Sequence, residues 1–427
     1  MAGNLRERLR RIREAQGAVP RPGPAGIGRR EPDGSANQFR GWVSAGFQTL
    51  KRVLDTAPPL PFPAALPAAL PVLVPDLDAA RSLPVPEELL FFDLETTGLS
   101  GGAGTVAFLA AFGRLARTAH APASGGYSLR ITQYLLLDYP GENDFIGALV
   151  GEFAAGPPVA VSYNGKSFDS QIIKTRCLMN GFTPPEYRHA DLLHPARRLW
   201  KKTAGGCSQG TIETAVLGID RSGDTPGALA PEIWFSFLRS GGAEALMGVC
   251  DHNLRDIAGL AAIFAAMCDI ASDPLGALPK YRYDLERLAL RWRDRARRAG
   301  ELSPPESGPG TLRDTAGELL RFAAKQGCPA AALVYARDLL RSGGYDEGRR
   351  LLAAAAEAGV PPEIRAAALR ALAIDSEWRL GNAVEALELT RRALELPPPG
   401  KSDLRDFRQR AERLAGKTGG PFLKKPV

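Results

Sequence analysis

The sequence predicts an α/β domain, a mixed central sheet flanked by helices, followed by an all-α domain. From Pro84 onward, short apolar runs alternate with segments of helical pattern, the signature of strands and helices laid down in turn. After a Pro/Gly/Ser-rich break at 302–310 the pattern becomes wholly helical and rich in Ala, Leu and Arg. The helical part also repeats: GGYDEGRRLLAAAAEAG at 343–359 aligns with GNAVEALELTRRALELP at 381–397, a period of 38 residues. A chain of 427 residues exceeds one hydrophobic core and suggests two to three domains of about 100–200 residues each.

Taken in order, residues 1–83 read as a basic, Pro/Ala-rich and largely disordered arm. A short basic helix is predicted at 4–16, then linker, then an extended connection up to about residue 80. The α/β domain spans 84–272. ELLFFDLETTGL is a strand running into a polar turn, and TVAFLAAFGRL and ITQYLLLDY complete an antiparallel meander. Then come a helix (NDFIGALVGEFAAG), a strand (PVAVSYNG), a helix (SFDSQIIKTRCLMNGF) and the strand-like YRHADLL. Helices over SQGTIETAVLGI, PEIWFSFLRSG and EALMGVCDHNLRDIAGLAAIFAAM close the domain. Residues 273–310 are a helix and linker, 311–417 the helical repeats and 418–427 a tail. Two repeats are few for a free-standing solenoid, so they are expected to lean on the helix at 282–299 or on a protein partner.

Composition excludes several classes. Residues 1–56 carry 11 Lys/Arg against 5 Asp/Glu and so hold most of the net charge of +7; any basic track near an active site must be local. Five cysteines without a CxxC pair argue against a disulfide framework or a thiolate zinc site and suit a reducing cytosol. The apolar stretch Pro58–Pro75 contains seven prolines, which break any spanning helix. The charged first residues lack the apolar core of a signal peptide, so a cytoplasmic protein without membrane contact is expected.

The chemistry centres on FFDLETTGL. On a strand, residues i and i+2 share a face, so Asp93 and Glu95 present two carboxylates together at the strand end. Two like charges side by side are costly unless a cation joins them, and a hard divalent ion with oxygen ligands fits. Asp169 falls in SYNGKSFDSQII, after a strand and near the start of a helix. His252 and Asp256 stand four apart in CDHNLRDIAGL and share one helix face, beside an apolar face of Leu254, Ile257, Leu260 and Ala261.

Together these segments resemble a known family. Asp93-Leu-Glu95-Thr-Thr-Gly-Leu looks like the first motif of the DEDD 3′–5′ exonuclease superfamily, Asn164-Gly-Lys-Ser-Phe-Asp169 like the second, and His252-x-x-x-Asp256 like the third. HADLLHPARRLW, IETAVLGIDRSGDTPG and PEIWFSFLRSG are similar to the YprB-like branch of ribonuclease H-like proteins. The resemblance covers roughly residues 86–270. The proofreading type places its His five residues before the last Asp, and another branch places a Tyr four before it; here a His occupies the four-residue spacing. The second helical copy resembles the tetratricopeptide repeat through Gly381, Ala386, Ala393 and Pro398.

The resemblance implies a ribonuclease H-like fold and a metal-dependent nuclease acting on DNA or RNA, expected to be a 3′–5′ exonuclease on single-stranded ends. Two Mg²⁺ or Mn²⁺ ions about 3.5–4 Å apart would clamp the scissile phosphate. Asp93, Glu95, Asp169 and Asp256 are the expected metal ligands and His252 the expected general base. Thr96, Thr97, Gly98, Leu99, Asn164 and Lys166 are candidate substrate contacts. Arg197, Arg198, Lys201 and Lys202 with Trp200 combine charge and an aromatic ring as single-strand binders do. The alternative reading is a non-catalytic adaptor, joining a nucleic-acid-binding module to protein-binding helices; the presence of all four carboxylates argues against it.

Overall fold

The computed structural model describes residues 38–78, 82–98, 104–118, 126–155, 159–298, 311–397 and 401–419, the side chains of 401–403 excepted. The helix expected at 4–16, the rest of the arm before residue 38 and the tail from residue 420 lie outside the described residues. The chain divides into two compact units, Met1–Gly41 and Trp42–Val427.

Seven strands form one sheet: β1 (Val43–Gly46), β2 (Thr49–Thr56), β3 (Leu89–Thr96), β4 (Ala107–Arg117), β5 (Tyr127–Leu136), β6 (Val159–Ser162) and β7 (Arg188–Asp191). Their spatial order is β1-β2-β5-β4-β3-β6-β7. The pairs from β1 through to β3 are antiparallel, and β3–β6 and β6–β7 are parallel. The mixed sheet and the β3-β4-β5 meander agree with the sequence prediction. Strand β3 is the hinge of this design: antiparallel to β4 on one side, parallel to β6 on the other, with Leu89, Leu90, Phe91 and Phe92 fully buried. Such a near-continuous apolar run is what a strand covered on both faces requires.

The arm prediction fails over residues 42–78. The hairpin β1–β2 extends the sheet, with β2 pairing along its whole length to β5 from Thr49↔Leu136 to Thr56↔Leu129. The Pro/Ala stretch that follows is packed rather than extended: Phe62, Leu66, Leu70, Val72, Leu73, Val74 and Leu77 are buried in the main core. Phe62 stacks on Phe264 with ring centroids 6.3 Å apart and meets Phe91 edge-on at 6.1 Å. The prolines do not prevent this. In the short helix α1 (Leu70–Leu73) a proline sits in the first turn, where its missing N–H has no intrahelical partner to lose.

Six helices complete the α/β part: α2 (Glu142–Ala154), α3 (Asp169–Met179), α4 (Leu193–Trp200), α5 (Gln209–Ala215), α6 (Ala230–Ser240) and the long α7 (Glu244–Ser272). Helix α7 lies on the sheet face that carries Phe91, and its Phe264 meets that ring edge-on at 5.9 Å. Asp93 and Glu95 follow Phe91 on the same face by the two-residue period of a strand. Contact is close because of Gly113, opposite Phe91 on β4: a Cβ there would stand 2.5 Å from a methyl of Ile257.

The remaining helices are α8 (Leu278–Tyr281), α9 (Leu285–Arg298), α10 (Leu312–Lys325), α11 (Pro329–Ser342), α12 (Tyr345–Ala355), α13 (Pro362–Trp378), α14 (Ala383–Leu394) and α15 (Lys401–Thr418). The expected 38-residue repeat falls on α12 and α14, each preceded by a glycine in left-handed geometry, Gly343 at φ 91° and Gly381 at φ 65°. The helical array is not insulated from the α/β part: one apolar cluster runs from Phe62 through Trp292 of α9 to Leu319 and Leu320 of α10. No helix among the described residues is long and apolar enough to cross a membrane. All five cysteines are free thiols.

Candidate active site

Asp93 and Glu95 lie at the C-terminal end of β3, which pairs with Ala111 and Leu109 of β4 at these positions and then breaks register between Glu95 and Thr96. The break frees the strand end from the ladder. Helix α7 brings His252 and Asp256 over the same place, and α3 presents Asp169 as its first residue, 5% exposed. Glu95, His252 and Asp256 have ligand-type atoms that all lie within 4.8 Å of one another, a group able to hold a metal ion.

Protonation follows from this crowding. Burial, then the charges of Asp256, Asp169 and Glu95, hold the Asp93 carboxyl well above the usual range; a hydrogen bond from Asn253 works the other way. Burial, then Asp256, Asp169 and Asp224, push Glu95 up to about 8. Burial and Asp191 push Asp169 up to about 7. So acidic a centre with so few donors fits hard divalent cations. Glu95, His252 and Asp256 have the spacing to hold one, and the charges of Asp93 and Asp169 act on the same centre.

These shifts set a pH dependence. In the metal-free protein, Glu95 and Asp169 bind protons more tightly folded than unfolded. Stability from them is fully present below about pH 4 and is lost as pH rises from there through about 7 to 8. A divalent ion replaces those protons. We expect Mg²⁺ or Mn²⁺ to raise the thermal midpoint more at pH 8 than at pH 6, read by calorimetry against an EDTA control; an equal rise at both values would contradict this assignment.

Several residues that the sequence analysis did not single out hold the site in shape. Asn253 Nδ2 donates to Asp93 Oδ2 at 2.8 Å. Its Oδ1 accepts from Gln133 Nε2 of β5 at 2.9 Å, and Gln133 Oε1 accepts from Arg52 Nε of β2 at 2.6 Å. Arginine only donates, so it fixes the orientation of Gln133, and Gln133 fixes that of Asn253. The chain starts on a strand of the supposed arm. Asn253 did leave a trace in the sequence, as a polar residue in register with the buried positions Val249, Ile257 and Leu260 of α7.

A second network surrounds Asp256 and His252. Arg221, on the loop between α5 and α6, pairs through Nη2 with Asp256 Oδ1 at 2.6 Å and Asp224 Oδ2 at 2.7 Å, and through Nη1 with the buried Glu213 at 2.8 Å. Asp224 Oδ2 also meets His252 Nδ1 at 2.9 Å. This turns His252 Nε2 to the carboxylates, 3.2 Å from Asp256 Oδ2 and 3.9 Å from Glu95 Oε1. Glu213 packs against α7 only because residue 259 is glycine; a Cβ there would lie 1.8 Å from Glu213 Oε1. Burial pushes Glu213 up to about 7 against the pull of Arg221.

The third anchor is Asp191 at the end of β7. Its Oδ1 accepts from Asn164 N at 2.8 Å and Leu193 N at 3.0 Å, and its Oδ2 accepts from Lys166 N at 3.1 Å. The loop before Asp169 is thereby clamped, with Asn164 left-handed at φ 68°. Gly165 passes so close to Ser162 that a Cβ would sit 2.3 Å from its hydroxyl.

The candidate substrate contacts are placed unevenly. Thr96 donates its hydroxyl to Gly98 O at 2.9 Å, and Thr97 Oγ1 accepts from Val106 N at 3.0 Å, so both hydroxyls brace the turn after β3. Gly98 stands in open space except for Thr105, whose hydroxyl a Cβ would meet at 3.7 Å. Leu99 lies outside the described residues. Lys166 directs its ammonium to Asp76 at 2.5 Å, and Asn164 contributes its backbone as above. The stacking role expected of Trp200 is overturned: its ring is fully buried and its indole N–H donates to Tyr281 O at 3.0 Å. It belongs to the apolar stripe of α4 with Leu193, Ala196 and Leu199.

Comparison with known proteins bears on the domain that carries this site. Residues 90–268 match the RNase_H_2 family of the RNase H superfamily. Over 185 residues the chain is 41% identical to the uncharacterized protein YprB of Bacillus subtilis (strain 168), a match covering 42% of this chain and 41% of that protein. The match thus spans about two fifths of the relative's length. A solved structure, the family B DNA polymerase from the hyperthermophilic archaeon Pyrobaculum calidifontis, is 16% identical and covers 54% of this chain and 32% of its own, at a TM-score of 0.32. At that score the two share too little geometry for one to inform the other. The α/β part is an RNase H-like domain followed by an all-helical region, and its superfamily supports a nuclease type of function.

Proposed function

We propose that this protein is a divalent-metal-dependent nuclease that hydrolyses phosphodiester bonds of DNA or RNA, removing nucleotides from a single-stranded 3′ end. The observation that carries this reading is the convergence of four carboxylates from β3, α3 and α7, of which Glu95 is pushed to about 8 by burial and the charges of Asp256 and Asp169, and Asp169 to about 7 by burial and the charge of Asp191. Two Mg²⁺ or Mn²⁺ ions, when bound, would supply an activated water and stabilise charge on the leaving oxygen. Asp93, Glu95, Asp169 and Asp256 would hold them.

The chain's own residues supply the rest. Asn253 keeps one oxygen of Asp93 engaged and so orients the other. Asp224 holds Nδ1 of His252, leaving Nε2 on the carboxylate side to take the proton of an attacking water. The resemblance of the second helical copy to a tetratricopeptide repeat rests on Gly381, Ala386, Ala393 and Pro398.

The deciding experiment uses the full chain with single-stranded DNA and RNA oligonucleotides labelled at the 5′ or the 3′ end. With Mg²⁺ or Mn²⁺, 5′-labelled strands are expected to shorten stepwise while 3′-labelled strands release labelled mononucleotide first. Internal fragments at early times would refute exonuclease action, and hydrolysis that survives EDTA would refute metal dependence.

A further inference from the structure

A recess of about 300 Å³ lies where α4 meets α9, with Leu73 of α1 at its wall. Among the described residues its charged lining is Arg198, Arg287, Arg291 and Arg298 with one carboxylate, Asp294; leucines and Pro195 supply the rest. The arginines are poorly compensated. Among the described residues, Arg198 Nη1 is buried without a hydrogen-bond partner. Arg291 donates from Nε to the carbonyl of Val72, and burial together with the charges of Arg198 and Arg298 pulls its pKa down to about 10. Among the described residues, Arg298 donates to the backbone carbonyl of Asp294, at 3.3 Å. Arg287 pairs with Asp284 at a long 3.5 Å and is 57% exposed.

Four guanidiniums around one carboxylate repel one another, and an anion in their midst converts that repulsion into attraction. The planar guanidinium matches phosphate oxygens two at a time, and the apolar wall suits a flat ring or sugar beside the phosphate. The volume falls at the lower end of small-ligand pockets. Arg198 also belongs to the basic run 197–202. The burial of Trp200 removes the stacking platform from that run but leaves Arg198 directed into this recess.

We propose that this recess is a second, non-catalytic site that binds the phosphate of a nucleotide, free or as a unit of a nucleic-acid strand. The nucleotide part rests on the nuclease reading; anion binding does not. The site contacts none of the four carboxylates, so the two readings fail separately.

The test uses the full chain carrying Asp93→Asn, in EDTA, so that no strand is cut and the metal-free acidic centre repels phosphate. Binding of AMP and of inorganic phosphate is followed by calorimetry, and that of a 5′-fluorescein-labelled single-stranded oligonucleotide by anisotropy. Adding Arg287→Gln, an exposed change that spares folding, is expected to weaken AMP binding several-fold; Arg198→Met with it should weaken binding at least about tenfold and flatten the salt dependence of strand binding by about one to two phosphates. A loss for both AMP and oligonucleotide assigns free nucleotides and strands alike, and a loss for the oligonucleotide alone assigns strand phosphates. Affinities for all three probes that match the parent in both variants, with an unchanged melting curve, overturn the proposal. A wild-type chain that cuts nothing, yet whose AMP binding falls with Arg198→Met, refutes the nuclease reading and keeps the site.

Discussion

Replacing Asp93 by Asn is expected to lower phosphodiester hydrolysis by roughly 10³-fold or more and, at the same time, to stabilise the metal-free protein. Both effects come from one charge. Asp93 sits among Asp256, Asp169 and Glu95, and burial and those three charges hold its carboxyl well above the ordinary range. Asparagine keeps the shape and leaves an oxygen to accept from Asn253 Nδ2, which now stands 2.8 Å from Asp93 Oδ2. It removes the charge that a cation needs and that its neighbours oppose. Sites shaped for chemistry commonly sacrifice stability in this way. In EDTA at pH 8 the thermal midpoint of Asp93→Asn should exceed that of wild type, and the gain from Mn²⁺ should largely vanish. Undiminished hydrolysis, or a lower midpoint in EDTA, would show that Asp93 is an ordinary buried residue and not the centre of a metal site.

The carboxylates themselves were legible because local periodicity places them: the strand period put Asp93 beside Glu95, and the four-residue helical spacing put His252 beside Asp256. Their supports were not, because those contacts join distant parts of the chain. Asn253 is 160 residues from Asp93 and Arg52 is 81 from Gln133, separations at which no spacing rule operates. Residues 42–78 were misread for a different reason. Proline density suggested an extended connection, yet Phe62, Leu66, Leu70 and Leu73 all pack into the main core; the chain is irregular up to Ala69, and the single helical turn Leu70–Leu73 carries its proline where it does no harm. Trp200 was misread because its charged neighbours drew attention from the i, i+3, i+4 apolar stripe to which it belongs. Local patterns thus place the clustered carboxylates and histidine, and the tertiary fold decides what they lean on.

Arg221→Gln is expected to cost about 3–5 kcal/mol of stability and to reduce turnover by about 10–100-fold, mostly in kcat. The side chain is 12% exposed and faces Glu213, Asp224 and Asp256, of which Glu213 is fully buried. Removing the guanidinium takes the arginine partner from Glu213 and Asp256 and leaves Asp224 to Arg255 and His252, and breaking a buried pair from one side costs more than the pair contributes. The catalytic consequence follows along the same bonds: Asp256 loses the partner of its Oδ1, and Asp224, which holds His252 Nδ1, loses one of its own. Lysine is not an adequate substitute, since a single ammonium cannot span three carboxylates as the planar fork does. Glu213→Gln separates the two effects. It removes one buried charge without touching Asp224 or Asp256, so the double variant Glu213→Gln/Arg221→Gln should recover part of the stability in urea denaturation while turnover stays low. If turnover recovers in step with stability, Arg221 serves folding alone; if stability recovers and turnover does not, Arg221 positions the histidine and the last carboxylate for the reaction.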